Sequence, residues 1–115
     1  MEFELKEDRR IIRDMARDFA ANELAPRATR HDREERIDPD LFGMIGEMGL
    51  FGLSIPEQYG GFDAGTLGLA IVLEELNHAC ASTGVTVSVH ASLVCTPIVK
   101  FGTEEQKTYW LPKLA

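Results

Sequence analysis

The chain has 115 residues, 44% hydrophobic and 27% charged, a balance that supports a packed globular domain and argues against disorder. Its formal net charge of -7, with no Lys/Arg stripe carrying interleaved aromatics, argues against nucleic acid as a partner. Met1 to Arg10 bears both signs of charge and no apolar centre, unlike a secretory signal, and Cys80 and Cys95 lack zinc-site or redox-pair spacing, so both are expected as buried free thiols in a cytosolic or organelle-matrix protein.

In chain order, Leu5, Ile12, Met15 and Phe19 make one apolar stripe on an amphipathic helix whose other face holds Arg9, Arg10, Arg13, Asp14 and Arg17. Pro26 predicts an end to that helix near Ala25, because proline disfavours helical geometry in the residue before it, and a polar run from Arg27 to Arg36 follows. Asp38-Pro39 reads as an N-cap with proline at the first helical position, opening a second helix with Leu41, Phe42, Ile45 and Met48 on its apolar face and Gly49 as its left-handed stop. Leu50 to Ile55 is a short apolar run, and Pro56 to Gly61 has the proline and paired glycines of a turn-rich loop. Thr66 is placed to cap a third helix, with Leu69, Val72, Leu73 and Leu76 at helical spacing, running to about Cys80.

Ser82-Thr83-Gly84 predicts a break. Val85 to Val94 then fits both strand and helix templates, and helix is favoured because no second strand is available to pair with it. Thr96-Pro97 restarts a short helix that Gly102 closes, and Thr103-Glu104-Glu105-Gln106 is a capping box opening a last helix that Pro112 stops after Trp110. The expected fold class is all-α, with five or six helices in one domain over residues 1–115.

Charge is unevenly placed. The first 40 residues hold 12 acids and 9 bases, whereas Leu76 to Val99 holds none. The Ser, Thr, Asn and His residues of that stretch make it too polar for a membrane span, and a domain this small cannot hide it on all sides, so it is expected to pack against further protein or a ligand. Catalytic sets are thin. Glu74 and Glu75 point about 100° apart on a helix and suit a surface charge pair better than an acid/base couple. His78 and His90 lack a third ligand at helical spacing, which argues against a metal site. The Ser/Thr hydroxyls lack a nucleophile elbow and are expected to bond to helix carbonyls. Gly60, Gly61, Gly65 and Gly68 fit neither a P-loop nor a dinucleotide spacing.

Four stretches in order carry a family resemblance: Leu50 to Gly61 (LFGLSIPEQYGG), Leu73-Glu74-Glu75-Leu76, Ser82-Thr83-Gly84-Val85, and Lys100 to Lys107 (KFGTEEQK) running to Leu111-Pro112-Lys113-Leu114. Together they resemble the N-terminal helical domain of an acyl-CoA dehydrogenase. The resemblance implies a β-domain and a C-terminal helical domain beyond residue 115, usually in a homotetramer, with FAD between those two domains. The implied reaction takes an acyl-CoA thioester to the trans-2-enoyl product, with a glutamate as base and the flavin as hydride acceptor, and electron-transfer flavoprotein as the onward acceptor. Glutamate and flavin motif both fall outside these residues, so no catalytic, cofactor-binding or metal residue is carried over. The implied setting is the cytoplasm or the mitochondrial matrix.

In the family the fourth helix lines the deep end of the acyl pocket, which by resemblance is Val85 to Val94 here. Helical spacing puts Thr86, His90 and Val94 on one stripe with Val87 beside it, and these four are the candidate substrate-binding residues. A sizeable imidazole at the pocket floor implies a short or branched acyl chain. Two other readings stay open: a family member with acyl-CoA oxidase chemistry, and a stand-alone helical interaction module.

Overall fold

The computed structural model describes residues 2–115. Among them the only regular elements are helical: α1 (Glu7–Phe19), α2 (Ala25–Glu34), α3 (Asp40–Glu47), α4 (Gly65–Ala79), α5 (Ala81–Val89), α6 (Thr96–Phe101) and α7 (Glu104–Leu114), with two π turns and two short 3-10 turns. The π turn Ala20–Leu24 joins α1 to α2 and the π turn His90–Cys95 joins α5 to α6, so five continuous helical stretches remain. The all-α expectation and its helix count hold.

The main core fills the space where α1, the first π turn, α4 and α5 meet. Ile12, Ala16, Phe19 and Leu24 pack there against Leu41, Ile45, Val72, Leu76 and Val87. Burying one such side chain contributes about 1.5–3 kcal/mol. A smaller cluster, Ile55, Tyr59, Cys95 and Leu111, fastens α7 to the loop and the second π turn. Both cysteines are buried free thiols, as expected.

Pro26 does not end its helix. The helix crosses it because Ala25 bonds back five residues to the Ala20 carbonyl, and the widened turn makes room for a ring that would meet the carbonyl four residues earlier in a regular α-helix. The same device recurs before Pro97, where the Thr96 amide bonds back five residues to the Ala91 carbonyl. Pro97 therefore sits inside a helix already under way. Pro112 does not stop α7 either: it lies within the helix, which runs on to Leu114.

Several caps also move. Asp38 does not cap α3, which begins at Asp40 with no side-chain cap, because the Asp38 carboxylate is drawn to arginines. Thr66 lies one residue inside α4 rather than capping it. Ser82-Thr83-Gly84 is helical, and the break falls at Cys80, the one extended residue between α4 and α5. Gly49 stops α3 with φ 77°, as expected. The Thr103 capping box forms in full, its hydroxyl accepting from the Gln106 amide and the Gln106 side chain accepting from the Thr103 amide. In the loop, a Cβ at Gly61 would come within 1.9 Å of the Ile55 carbonyl oxygen, which accounts for the second glycine of the Tyr-Gly-Gly motif. The Tyr59 hydroxyl of that motif donates to the Glu104 carboxylate at 2.8 Å and so ties the loop to the first turn of α7.

Ala81–Phe101 forms one helical stretch of 21 residues that is long and apolar enough to cross a membrane by length and composition. Its polar residues therefore do not exclude a span by their number alone. Here the stretch is laid along the domain, with Thr83, Val87, Ala91 and Cys95 turned into it.

Candidate functional site

The helical stretch that begins at Ala81 is buried on one side only. Val87 is wholly enclosed in the main core, so it supports the helix from behind. Thr86 is half-buried and its Oγ1 donates to the Ser82 carbonyl at 2.9 Å; Ser92 Oγ donates to the Ser88 carbonyl at 2.7 Å. These hydroxyls are spent on their own helix, as the sequence suggests. At Thr86 and Ser92 the surface can then meet apolar atoms without leaving a hydroxyl unpaired.

His90 opens the π turn. Its Nε2 lies 2.8 Å from the Leu114 carbonyl at the end of α7. A carbonyl only accepts, so Nε2 carries the proton and Nδ1 is left as the ring's other polar atom. The ring also rests on Phe51, with centroids 4.8 Å apart and planes tilted 59°. Val94 is 38% exposed.

The π turn from His90 to Cys95 widens the helix, and positions four apart keep to one side through it, as Thr83, Val87, Ala91 and Cys95 do on the buried side. Thr86 and His90 share the half-buried flank, Val94 turns further outward, and Val87 faces the opposite way. The stripe most open to its surroundings is Val85, Val89 and Leu93, of which Leu93 is 69% exposed. The i, i+4, i+8 spacing of these three is visible in the sequence; their outward direction depends on which side packs against α4.

Other candidates resolve into structural roles. Glu75 accepts a two-pronged contact from Arg17, at 2.7 and 3.1 Å, which fastens α1 to α4. Among the described residues no three His, Cys, Asp or Glu side chains gather as a metal-binding group. The glycines near α4 do not cradle phosphate: Gly61 is filled by the Ile55 carbonyl, and Gly68 faces Ala64 and the Arg9 guanidinium, which donates to the Ala64 carbonyl. Neither glycine is therefore open to a phosphate group. Burial pushes the Cys95 thiol up to about 11, so it is an inert core group rather than a nucleophile.

Residues 6–115 match the family model described as acyl-CoA dehydrogenase, N-terminal domain. The chain is similar to a probable acyl-CoA dehydrogenase of Bacillus subtilis (strain 168), 41% identical over all of this chain and 30% of the relative. It is also similar to the mitochondrial short-chain specific acyl-CoA dehydrogenase of Bos taurus, 43% identical over 94% of this chain and 26% of the relative. Among solved structures, it superimposes with a TM-score of 0.95 and 42% identity on a chain of the structure described as "Electron transferring flavoprotein of Acidaminococcus fermentans: Towards a mechanism of flavin-based electron bifurcation", covering 100% of this chain and 30% of that one. On butyryl-CoA dehydrogenase from Megasphaera elsdenii the TM-score is 0.90 with 32% identity, over 99% of this chain and 30% of that one. The 115 residues thus span under a third of the relatives they match. With an all-helical fold shared along its whole length and a family match that omits only its first five residues, the chain belongs to the acyl-CoA dehydrogenase family and forms that family's N-terminal domain.

Proposed function

We propose that this chain serves an FAD-dependent acyl-CoA dehydrogenase that converts an acyl-CoA thioester to the trans-2-enoyl product, and that its part is to wall the far end of the acyl pocket and to pack against the remaining domains. The observation that carries the reading is the helix from Val85 to Val94, which shows apolar side chains outward while the Thr86 and Ser92 hydroxyls bond to its own carbonyls. Thr86, His90 and Val94 form the wall, and Val87 holds it from the core side. A bound flavin supplies the hydride acceptor. The residues of this chain take no proton or hydride; they exclude water and limit the length of the tail.

The substrate is a short or branched acyl-CoA, a reading supported by the half-buried imidazole at the floor and by relatives named for short-chain substrates and butyryl-CoA. Electron-transfer flavoprotein is the onward acceptor and the assembly is a homo-oligomer of the tetrameric type. The working compartment is the cytoplasm or the mitochondrial matrix. Relatives named as dehydrogenases favour this over oxidase chemistry or an isolated binding module.

The test is to purify the complete protein and follow butyryl-CoA oxidation with electron-transfer flavoprotein as acceptor. We expect a yellow protein that reduces that acceptor. A colourless protein without flavin would overturn the reading, and so would a yellow one that passes electrons only to oxygen.

A further inference from the structure

We infer that Phe51 and the Leu114 carbonyl are positioning groups for His90, and that together they convert its imidazole from a mobile side chain into a fixed stop for the acyl tail. The inference rests on the proposed pocket wall and goes beyond it by naming what makes the wall rigid.

An imidazole on a half-buried helix face has two free torsions, and an unrestrained ring could swing aside to admit a longer chain. Here two contacts from two different elements remove that freedom. The 2.8 Å bond to the Leu114 carbonyl fixes which ring edge faces α7, and the tilted contact with Phe51 at 4.8 Å fixes the plane. The backbone under His90 is held as well. Ala91, the next residue, accepts at its carbonyl from Ser54 Oγ at 3.2 Å and from Thr96 Oγ1 at 2.8 Å. Phe51 and Ser54 belong to one short segment, the 3-10 turn Leu50–Gly52 and the residues just after it. That segment therefore grips the π turn twice, once through the ring of His90 and once through the carbonyl beside it. Phe51 is itself half-buried behind the imidazole and acts through it.

The experiment uses the complete, flavin-loaded protein and measures kcat and KM for butyryl-, hexanoyl- and octanoyl-CoA in His90→Gly, Phe51→Leu and the double variant. Room for one methylene in an apolar pocket changes kcat/KM by roughly tenfold or more. We expect His90→Gly to raise the octanoyl-to-butyryl ratio by about that factor. Phe51→Leu should raise it by about threefold, through KM for the longer substrates with kcat held within about twofold, and should add nothing in the His90→Gly background. A Phe51→Leu effect of equal size in both backgrounds would mean that Phe51 touches the tail itself, and the positioning role would be overturned. No effect in either background would overturn it too. If His90→Gly leaves the ratio unchanged, the wall reading itself fails, a different result from either of these. Phe51→Met replaces Phe51→Leu should the latter not retain flavin.

Discussion

Asp38 shows how little a residue's local pattern says about its partners. Its sequence context, Asp before Pro before an apolar run, is that of a helix cap. In the fold its carboxylate accepts instead from Arg27 at 3.3 Å and from Arg30, and it lies 3.3 Å from Nε2 of His31. The Arg30 guanidinium is the largest influence and holds the Asp38 carboxyl well below the usual carboxylate range. The sign of the pH dependence follows: a depressed native pKa adds stability that is complete above the ordinary value of 3.8 and is lost as the pH falls below it. Asp38→Asn should therefore lower the urea midpoint at pH 7, and the gap from the parent should begin to narrow below about pH 4 and go on narrowing as the pH falls. A gap that is no smaller at pH 2.5 than at pH 5 would show that the carboxylate's charge is not what matters. Cys95 titrates with the opposite consequence. With its thiol pushed up to about 11 by burial, stability should decline as the pH rises from 9. At pH 8 a thiol reagent should label Cys95 far more slowly in the native protein than in urea.

At the scale of the element, what was legible in the sequence was whatever a short window decides. The Thr103–Gln106 box, the left-handed Gly49 and the part of the stripe formed by Ile12, Met15 and Phe19 need only local spacing and occur as read, whereas Leu5, expected on the same stripe, lies ahead of α1, which begins at Glu7. Thr103→Ala should accordingly cost about 1 kcal/mol in denaturant unfolding. The π turns were not legible, because one extra residue in a turn leaves no mark on composition and is tolerated only when both flanks are held by tertiary packing. Pro26 and Pro97 each follow such a turn, which supplies a physical reason for its presence and a test. Deleting Ala21, an exposed residue of the first π turn, should restore α geometry while keeping α2 in phase, but would press the Pro26 ring against a carbonyl at a cost of about 3 kcal/mol. Adding Pro26→Ala to the deletion should recover most of that loss. If the deletion is equally harmful with or without Pro26, the turn is not there to seat the proline.

The whole molecule is a slab, 42 × 39 × 20 Å, with a Cα radius of gyration of 14.5 Å against about 13 Å for a compact domain of this length. Its thin dimension is about two helix diameters, so a helix at its surface can bury only one side within the domain. For α1 and α2 that suits the sequence, since their outer faces carry the charges gathered in the first 40 residues. For α5 through α6 it does not. Val85, Val89 and Leu93 lie outward, Phe101 is 84% exposed, and Tyr109 and Trp110 of α7 are about half open, with Lys113 Nζ held 3.2 Å from the centre of the Tyr109 ring. An uncharged stretch from Leu76 to Val99 thus resolves into a buried half and an open apolar half. Exposed apolar faces of this kind mark contact with further protein or ligand. Residues 2–115 produced alone should bind a hydrophobic dye and self-associate in sedimentation experiments. Leu93→Glu should weaken both without changing helical content, because Leu93 adds nothing to the domain's own core. A clear monomer with no dye binding would mean that this surface needs no cover.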